Sequence, residues 1–309
     1  MDRFEEIQNF VRVVETGSIS RAADRSGMAK SAVSRRLSDL EQRLGVQLIK
    51  RTTRQMKLTD SGRSYYERAI RILADLEESE QAVRQEHGNL SGVLRVAAPL
   101  TFGLLHLGPA ITEFQCGHPD LQFDLDFNDR RIDILQEGFD VGIRIGALED
   151  SSLIARRLVP VRSVICASPE YLKKNGVPRS PEDLQRHACL VYSNLPDPQT
   201  WSYHDREDVK HSIKVRIGMQ ANNGDFLREA AVAGLGIVHQ PTFIAYPSIA
   251  SGQLIPILTG YTWPTVNAYA VYPQTRHLSQ RVRSFVDFLV QKFQGIPYWD
   301  NVINRHSPV

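Results

Sequence analysis

The chain has 309 residues, a length that predicts about two domains of ordinary size. Hydrophobic residues make up 42% and charged residues 23%, which excludes a mostly disordered chain, a collagen and a polytopic membrane protein. The formal net charge is only +2, and taken alone this value argues against a nucleic-acid-binding protein. Residues 17–63, however, hold eleven Lys or Arg and four Asp or Glu, a local charge of +7 that leaves −5 for the rest. We therefore expect a basic surface within residues 17–63 that the global charge conceals.

Cysteine usage and the first residues indicate the compartment. Cys116, Cys166 and Cys189 are odd in number and lack metal-binding spacing, which favours a reducing environment. The start of the chain is acidic and polar where a signal peptide is basic and then apolar, and no apolar run approaches the roughly 20 residues that span a bilayer. These features predict a cytoplasmic protein without membrane association.

Apolar residues at helical spacing predict three helices within residues 4–45. Gly17 and Ser18 separate the first two helices, Gly27 ends the second and Gly45 ends the third. The third helix carries an apolar stripe of Val33, Leu37, Leu40 and Leu44. Its other side carries small polar and basic residues: Lys30, Ser31, Ser34, Arg35 and Ser38. This arrangement is typical of a helix-turn-helix whose second helix approaches base edges.

A short basic segment, residues 50–58, follows the third helix. Basic residues on a short hairpin suit a wing that contacts phosphates beside the groove and holds the protein in register. The alternative for each single charge is an ordinary solvated side chain.

Thr59 is predicted to cap a long helix from Asp60 to about His87. A narrow apolar seam, interrupted by Glu80, is formed by Tyr66, Ala69, Leu73, Leu76 and Val83. A seam this narrow predicts pairing with the same helix of a second chain, and the alternative is packing against this chain's own domains.

The first ninety residues resemble the DNA-binding domain and linker helix of LysR-type transcriptional regulators. The matching residues are Phe10, Val13, Val14, Gly17-Ser18, Ala22-Ala23, residues 31–35, Leu40-Glu41, Leu44-Gly45, Leu48, Arg51, Leu58-Thr59 and Gly62. The resemblance implies a winged helix-turn-helix over 1–59 and a dimerisation helix over 60–89. It implies that DNA is contacted by Arg21, Lys30, Ser31, Ser34, Arg35, Arg51, Thr52 and Arg54. Family members commonly begin the third helix with Ser followed by Gln or Pro, whereas this chain has Ala29-Lys30. The expected capping hydroxyl is therefore missing at Ala29. For Lys30, a phosphate contact becomes the alternative to base reading.

Beyond Ser91-Gly92 the pattern changes to alternating strands and helices, which predicts α/β sheets. The predicted strands are 93–98, 121–127, 140–145, 164–167, 189–192, 213–217 and 268–272. The predicted helices are 103–116, 169–175, 181–186, 224–233 and 277–293.

This second portion resembles the effector domain of the same family, a periplasmic-binding-protein-like pair of α/β lobes. The resemblance is carried by Pro119-Asp120-Leu121, residues 139–146, residues 150–153, residues 167–172, Asp183-Leu184 and residues 233–237. It implies an effector-binding domain over 91–297, with lobe I formed by 91–162 and 268–297 and lobe II by 163–267. The tail comprises 298–309. We expect the chain to be loosely ordered from Pro297 to its end.

Ligands of such sheets bind outside the carboxyl ends of strands, where several polar residues of this chain lie. The effector-site candidates are Thr101, Phe102, Asn128, Arg144, Asn194, Asn222, Asn223 and Gln240. Free N–H groups at Thr101 and Phe102 and the Arg144 guanidinium would favour a small anionic or aromatic metabolite. The alternatives are a structural ion pair for Arg144 and turn capping for each amide.

No nucleophile elbow, phosphate loop, dinucleotide fingerprint or zinc spacing occurs in the sequence, so we expect neither catalysis nor a cofactor nor a metal. The sequence predicts a regulator that binds an inverted repeat in double-stranded DNA as a dimer or tetramer, responds to a small effector and has RNA polymerase as a further candidate partner. Two alternatives are a redox-responsive regulator that uses its cysteines and a cytoplasmic solute-binding protein.

Overall fold

The computed structural model describes residues 3–51, 56–84, 90–130, 132–148, 153–274 and 278–301. The chain divides into two compact units, residues 1–92 and 93–309. No helix in the described part is long and apolar enough to cross a membrane.

The first unit is a winged helix-turn-helix followed by a long helix. Its elements in chain order are α1 Arg3–Thr16, α2 Ile19–Ser26, α3 Lys30–Leu44, β1 Ile49–Arg51, β2 Met56–Leu58 and α4 Asp60–Arg84. The Ser18 hydroxyl caps α2 by accepting the Arg21 N–H, and Gly27 and Gly45 end α2 and α3 with φ of 62° and 70°. The predicted helices, their stops and the antiparallel β1–β2 hairpin are thereby confirmed.

The core of this unit lies under the predicted stripe of α3. Val33, Leu37 and Leu40 are fully buried and pack with Phe10 of α1. The buried Asn9 side chain donates a hydrogen bond to the Val33 carbonyl (3.0 Å) and so ties α1 to the first turn of α3. Burial of one face fixes the rotation of α3 and leaves its polar face in solvent.

The predicted seam of α4 does not act as one surface. Tyr66, Ala69 and Leu73 pack against the core of their own winged helix, as the single-chain alternative predicts for these three residues. Among the side chains of α4 that the structure describes, the exposed large apolar ones are Ile70 and Ile72. The side chains of Glu80 and Val83 lie outside the described residues.

The second unit begins within β3 and contains two five-stranded sheets. Its elements in chain order are β3 Gly92–Ala98, α5 Leu100–Phe102, α6 Gly108–Gly117, β4 Leu121–Phe127, α7 Ile134–Glu137, β5 Val141–Gly146, β6 Leu153–Val161, β7 Ser163–Ala167, α8 Pro169–Asn175, β8 Cys189–Tyr192, β9 Thr200–His204, β10 Lys210–Lys214, β11 Ile217–Ala221, α9 Gly224–Val232, β12 Ile237–Pro241, α10 Thr242–Ala250, β13 Ile255–Ile257, β14 Val266–Pro273 and α11 Gln280–Lys292. A π-helical turn, Gly103–Leu107, joins α5 to α6, and Pro181–Gln185 forms a 3₁₀ helix.

Each sheet belongs to one lobe. Lobe I has the strand order β4-β3-β5-β14-β6, and lobe II has the order β11-β8-β12-β7-β13. The chain passes from lobe I to lobe II at Arg162 and returns to lobe I through β14. In lobe II the strands β8, β11 and β12 are parallel, so their carboxyl ends lie at one edge. This edge precedes α9 and α10, the helices that carry the lobe II side of the interlobe contact.

Two expectations for this unit are wrong. The single strand 213–217 is two strands: Ile213 lies on β10 in a hairpin with β9, while Ile217 begins β11 beside β8. Apolar residues alternate from Ile213 to Ile217, across the break between the β9–β10 hairpin and the lobe II sheet. Periodicity alone therefore does not reveal the break. The tail is not loose at its start, because Trp299 and Asp300 are only 1% and 2% exposed. Residues 302–309 lie outside the described part of the chain.

Candidate nucleic-acid interface and ligand site

The exposed face of α3 carries the predicted base-reading residues. Lys30, Ser31 and Arg35 are exposed and Ser34 is half-buried. Ser31 and Arg35 lie opposite the buried stripe. Arg21 is exposed on α2. The Ala29 methyl group provides no hydrogen bond to the α3 N-terminus, so that the first-turn amides and the Lys30 ammonium favour a phosphate at this end of the helix.

Two arginines of the basic region have other partners. Arg36 pairs with Glu5 (2.8 Å), and Arg43 bonds the buried Glu6 carboxylate through Nη2 (2.7 Å) and Nε (3.1 Å). Both acids belong to α1 and lie outside residues 17–63. These arginines hold α3 against α1, so part of the local +7 charge of residues 17–63 stabilises the fold.

The wing is joined to the recognition helix by Glu41. Its Oε1 accepts the N–H groups of Leu48 (2.8 Å) and Ile49 (3.0 Å), which fixes the entry into β1. Lys50 and Lys57 are exposed on the two strands of the hairpin. Thr52 and Arg54 lie outside the described residues, and for Arg51 the backbone is part of β1 while its side chain is not described.

A compact junction joins the wing to α4. The Thr59 hydroxyl accepts the Gly62 N–H (2.9 Å) and donates to the Gln47 carbonyl (2.7 Å), which confirms the predicted cap. A Cβ on Gly62 would lie 1.9 Å from the Leu48 carbonyl oxygen, so only glycine fits there. Glu41, Thr59 and Gly62 together orient the hairpin relative to α3, and the sequence pattern signals this junction through its Thr-x-x-Gly spacing.

In the second unit, two of the predicted ligand residues make polar contacts that cross from one lobe to the other. The Thr101 hydroxyl of lobe I donates to the Asp225 carboxylate at the start of α9. Asn194 of lobe II donates from Nδ2 to the Asp129 carbonyl of lobe I (2.9 Å). The structure therefore brings Thr101 and Asn194 to one interlobe seam, where each already has a protein partner.

Asp129 and Asp225 are the two acidic residues of this seam that the sequence-based prediction missed. The Asp129 carboxylate accepts the Leu100 N–H (2.9 Å), which is one of the helix-start donors that would favour an anionic ligand. Burial and the nearby Asp225 carboxylate raise the pKa of Asp129, although the Leu100 bond opposes the shift. Burial and Asp129 likewise raise the pKa of the Tyr192 hydroxyl. No local pattern distinguishes these two aspartates from other turn residues.

The other predicted ligand residues have structural contacts. Arg144 donates from Nη2 to the Ile132 carbonyl (3.0 Å), which is not the ion pair weighed as its alternative. Asn128 accepts the Arg130 N–H (3.0 Å), and Asn223 caps α9 by accepting the Phe226 N–H (2.9 Å), as the capping alternative predicts. Asn222 is exposed. The side chain of Gln240 is buried and donates to the Gly224 carbonyl (2.5 Å).

Among the predicted ligand residues, Phe102 differs most clearly from its predicted role. Its ring is fully buried and contacts the rings of Phe243, Phe293 and Trp299. This ring is enclosed by protein and packs as part of the core between the lobes.

The cysteines do not form a redox pair or a metal site. Burial raises the pKa of the Cys166 and Cys189 thiols to about 12, which keeps both protonated and poorly nucleophilic at neutral pH. Cys116 is exposed on α6. Within the described ranges, no group of three or more His, Cys, Asp or Glu side chains could hold a metal ion.

Two family descriptions match the chain in succession. "Bacterial regulatory helix-turn-helix protein, lysR family" matches residues 4–63, and "LysR substrate binding domain" matches residues 87–294. The second match alone covers more than half of the chain and coincides with the two-lobed unit.

Similar proteins cover almost the whole chain. The transcriptional regulator CrgA of Neisseria meningitidis serogroup C is 38% identical over 289 residues, which are 93% of this chain and 96% of CrgA. An HTH-type transcriptional regulator of Haemophilus influenzae is 37% identical over 91% of this chain and 98% of its own length.

Solved structures agree with these relationships. The CrgA structure superposes with a TM-score of 0.61 over 94% of this chain and 99% of CrgA. Full-length AphB, the virulence activator of Vibrio cholerae, gives a TM-score of 0.60 at 26% identity over 94% of this chain and 100% of AphB. The winged helix, the paired α/β lobes and these relationships lead to one conclusion: the chain belongs to the LysR family of bacterial transcriptional regulators, which bind DNA and are not enzymes.

Proposed function

We propose that this chain reads an inverted-repeat operator through the exposed face of α3 and changes its grip on DNA when a small molecule binds between its lobes. The observation that carries the proposal is the orientation of α3. Its apolar stripe is buried, so Lys30, Ser31 and Arg35 are presented to the major groove. Lys50 and Lys57 of the hairpin support phosphate contacts beside the groove.

Recognition of an inverted repeat requires two copies of α3 related by two-fold symmetry. The exposed Ile72 on α4, with Leu76 one helical turn further along the same face, supports a homodimer formed through this helix. A tetramer, with four recognition helices on longer DNA, is the larger assembly that we propose. RNA polymerase is the proposed partner when the bound regulator activates a promoter, and the cytoplasm is the proposed compartment.

The proposed effector site is the interlobe seam near Thr101, Asn128, Arg144 and Asn194. Asp129 already occupies the Leu100 N–H, so an anionic effector must displace this carboxylate or bind beside it. The Arg144 guanidinium, held by the Ile132 carbonyl, supports recognition of a carboxylate in the second case. The ligand shifts the population of lobe arrangements only by preferring one of them.

The experiment compares Arg35→Ala with Arg36→Ala on an operator selected in vitro from random duplexes. Arg35 is exposed on the recognition face, whereas the adjacent Arg36 is held against α1 by Glu5. Arg35→Ala should weaken operator binding by about 1–3 kcal/mol in a fluorescence-anisotropy titration, because a base contact is lost. Arg36→Ala should retain operator affinity. Equal affinities for wild type and Arg35→Ala would contradict the assigned face of α3.

A further inference from the structure

An aromatic cluster lies where both lobes meet the C-terminal segment. We call it the interlobe aromatic cluster, and it comprises Phe102, His106, Phe243, Tyr246, Phe293, Tyr298 and Trp299. Phe102 and His106 belong to lobe I, and Phe243 and Tyr246 lie on α10 of lobe II. The cluster is therefore a third connection between the lobes, separate from the polar contacts of Thr101 and Asn194.

Trp299 contacts both lobes within this cluster. Its ring centroid is 4.4 Å from that of His106, 6.2 Å from that of Phe102 and 6.3 Å from that of Phe243. Trp299 is 1% exposed, whereas Ile296 of the same segment is 76% exposed. The segment thus folds back after α11 and inserts one large apolar side chain between the lobes.

Hydrogen bonds of His106 connect the same three parts of the chain. Its Nδ1 lies 2.6 Å from the Tyr298 hydroxyl, and its Nε2 lies 3.3 Å from the Phe243 carbonyl oxygen. Only a donating Nε2–H can bond the carbonyl, so the neutral ring accepts the Tyr298 hydroxyl at Nδ1. One side chain of lobe I therefore bonds lobe II and the C-terminal segment at once.

We propose that residues 297–301 form a C-terminal strap that holds lobe I and lobe II in their present arrangement. A change in the angle between the lobes must separate Trp299 from Phe243 or from Phe102, because these two rings belong to different lobes. The strap then sets the free-energy cost of lobe movement and, with it, the ligand concentration needed for a response. This last consequence rests on the proposed effector control, whereas the holding role does not.

Hydrogen–deuterium exchange on the full-length chain tests the strap without ligand or operator, so its outcome is independent of the proposed function. Trp299→Ala should raise exchange about tenfold or more in segments 100–107 and 242–250, and also in 192–195 and 223–228 at the distant polar contacts. The central strands β3 and β8 should keep their protection. Ile296→Ala is the matched control in the same segment and should exchange like wild type.

Tyr298→Phe covers the case in which Trp299→Ala fails to fold. It retains the ring and removes only the hydroxyl bonded to His106, so it should raise exchange in 242–250 to a smaller extent than Trp299→Ala. A rise confined to 100–107 and 280–301, with lobe II unchanged in the variants that fold, would overturn the strap and make Trp299 a core residue of lobe I alone.

Discussion

At the residue scale, Gly62 carries a steric requirement that is independent of DNA binding. A Cβ at this position would lie 1.9 Å from the Leu48 carbonyl oxygen, which belongs to backbone and cannot rotate away. Gly62→Ala should therefore destabilise the winged helix by about 1–3 kcal/mol in urea denaturation, the usual cost of overpacking. Gly117→Ala is the control, because nothing lies within 4 Å of its added Cβ. Equal midpoints for Gly62→Ala and wild type would contradict the close approach of α4 to the wing.

The buried His106 imidazole makes the free energy of unfolding depend on pH. Burial lowers its pKa from 6.5 to about 4, so the unfolded chain binds a proton more readily than the folded chain between these values. The stabilising contribution of neutral His106 is complete above pH 6.5 and is lost as the pH falls toward 4, by at most about 3 kcal/mol. Denaturant unfolding of wild type and His106→Asn should show this difference as a shallower pH slope in the variant. Parallel slopes would contradict a buried neutral imidazole.

Residues differ in how far sequence predicts them. Val33, Leu37 and Leu40 are predictable because helical periodicity places them on one face. The pairing of Leu100 with Asp129, and of Thr101 with Asp225, is not predictable, because each joins positions far apart in the chain. Phe102 follows a strand end as a ligand residue would, yet aromatic residues from lobe II and the C-terminal segment enclose its ring.

At the element scale, helices with caps and one apolar face are found from sequence with nearly correct ends. α3 and α8 are examples, since Gly45 stops α3 and Ser168 caps α8. α10 has no such signal: most of its residues are apolar and Pro247 lies within it, so neither period nor stop is visible. The sequence does not indicate β6, because polar and exposed residues interrupt its apolar pattern. Such elements are determined by the neighbouring strands and helices more than by their own sequence.

The long helix α4 carries a prediction about self-association. Ile72 is 45% exposed, and Leu76 follows it by one helical turn on the same face. Ile72→Glu should raise the dimer dissociation constant about tenfold or more, because apolar contact is lost and a carboxylate must be desolvated. Sedimentation velocity over a concentration series measures this change, with the exposed Glu67→Gln as control. An unchanged dissociation constant for Ile72→Glu would place the dimer interface elsewhere.

At the scale of the whole molecule, the small net charge conceals two groups of basic residues with different roles. Glu5 and Glu6 of α1 neutralise Arg36 and Arg43, which support the fold. Arg21, Lys30, Arg35, Lys50 and Lys57 are exposed on the proposed DNA-binding elements. The charge arithmetic locates the basic region, but only the structure separates the arginines held by α1 from the side chains presented to solvent.

The salt dependence of operator binding tests this division most directly. If the exposed basic side chains contact phosphates, binding releases counterions from the DNA. This release is less favourable at higher salt concentration, so the operator affinity should fall steeply between about 50 and 200 mM salt. Lys50→Ala should reduce the slope of log affinity against log salt by about 1, while Arg36→Ala should leave the slope unchanged. An operator affinity that stays constant across this salt range would contradict the account.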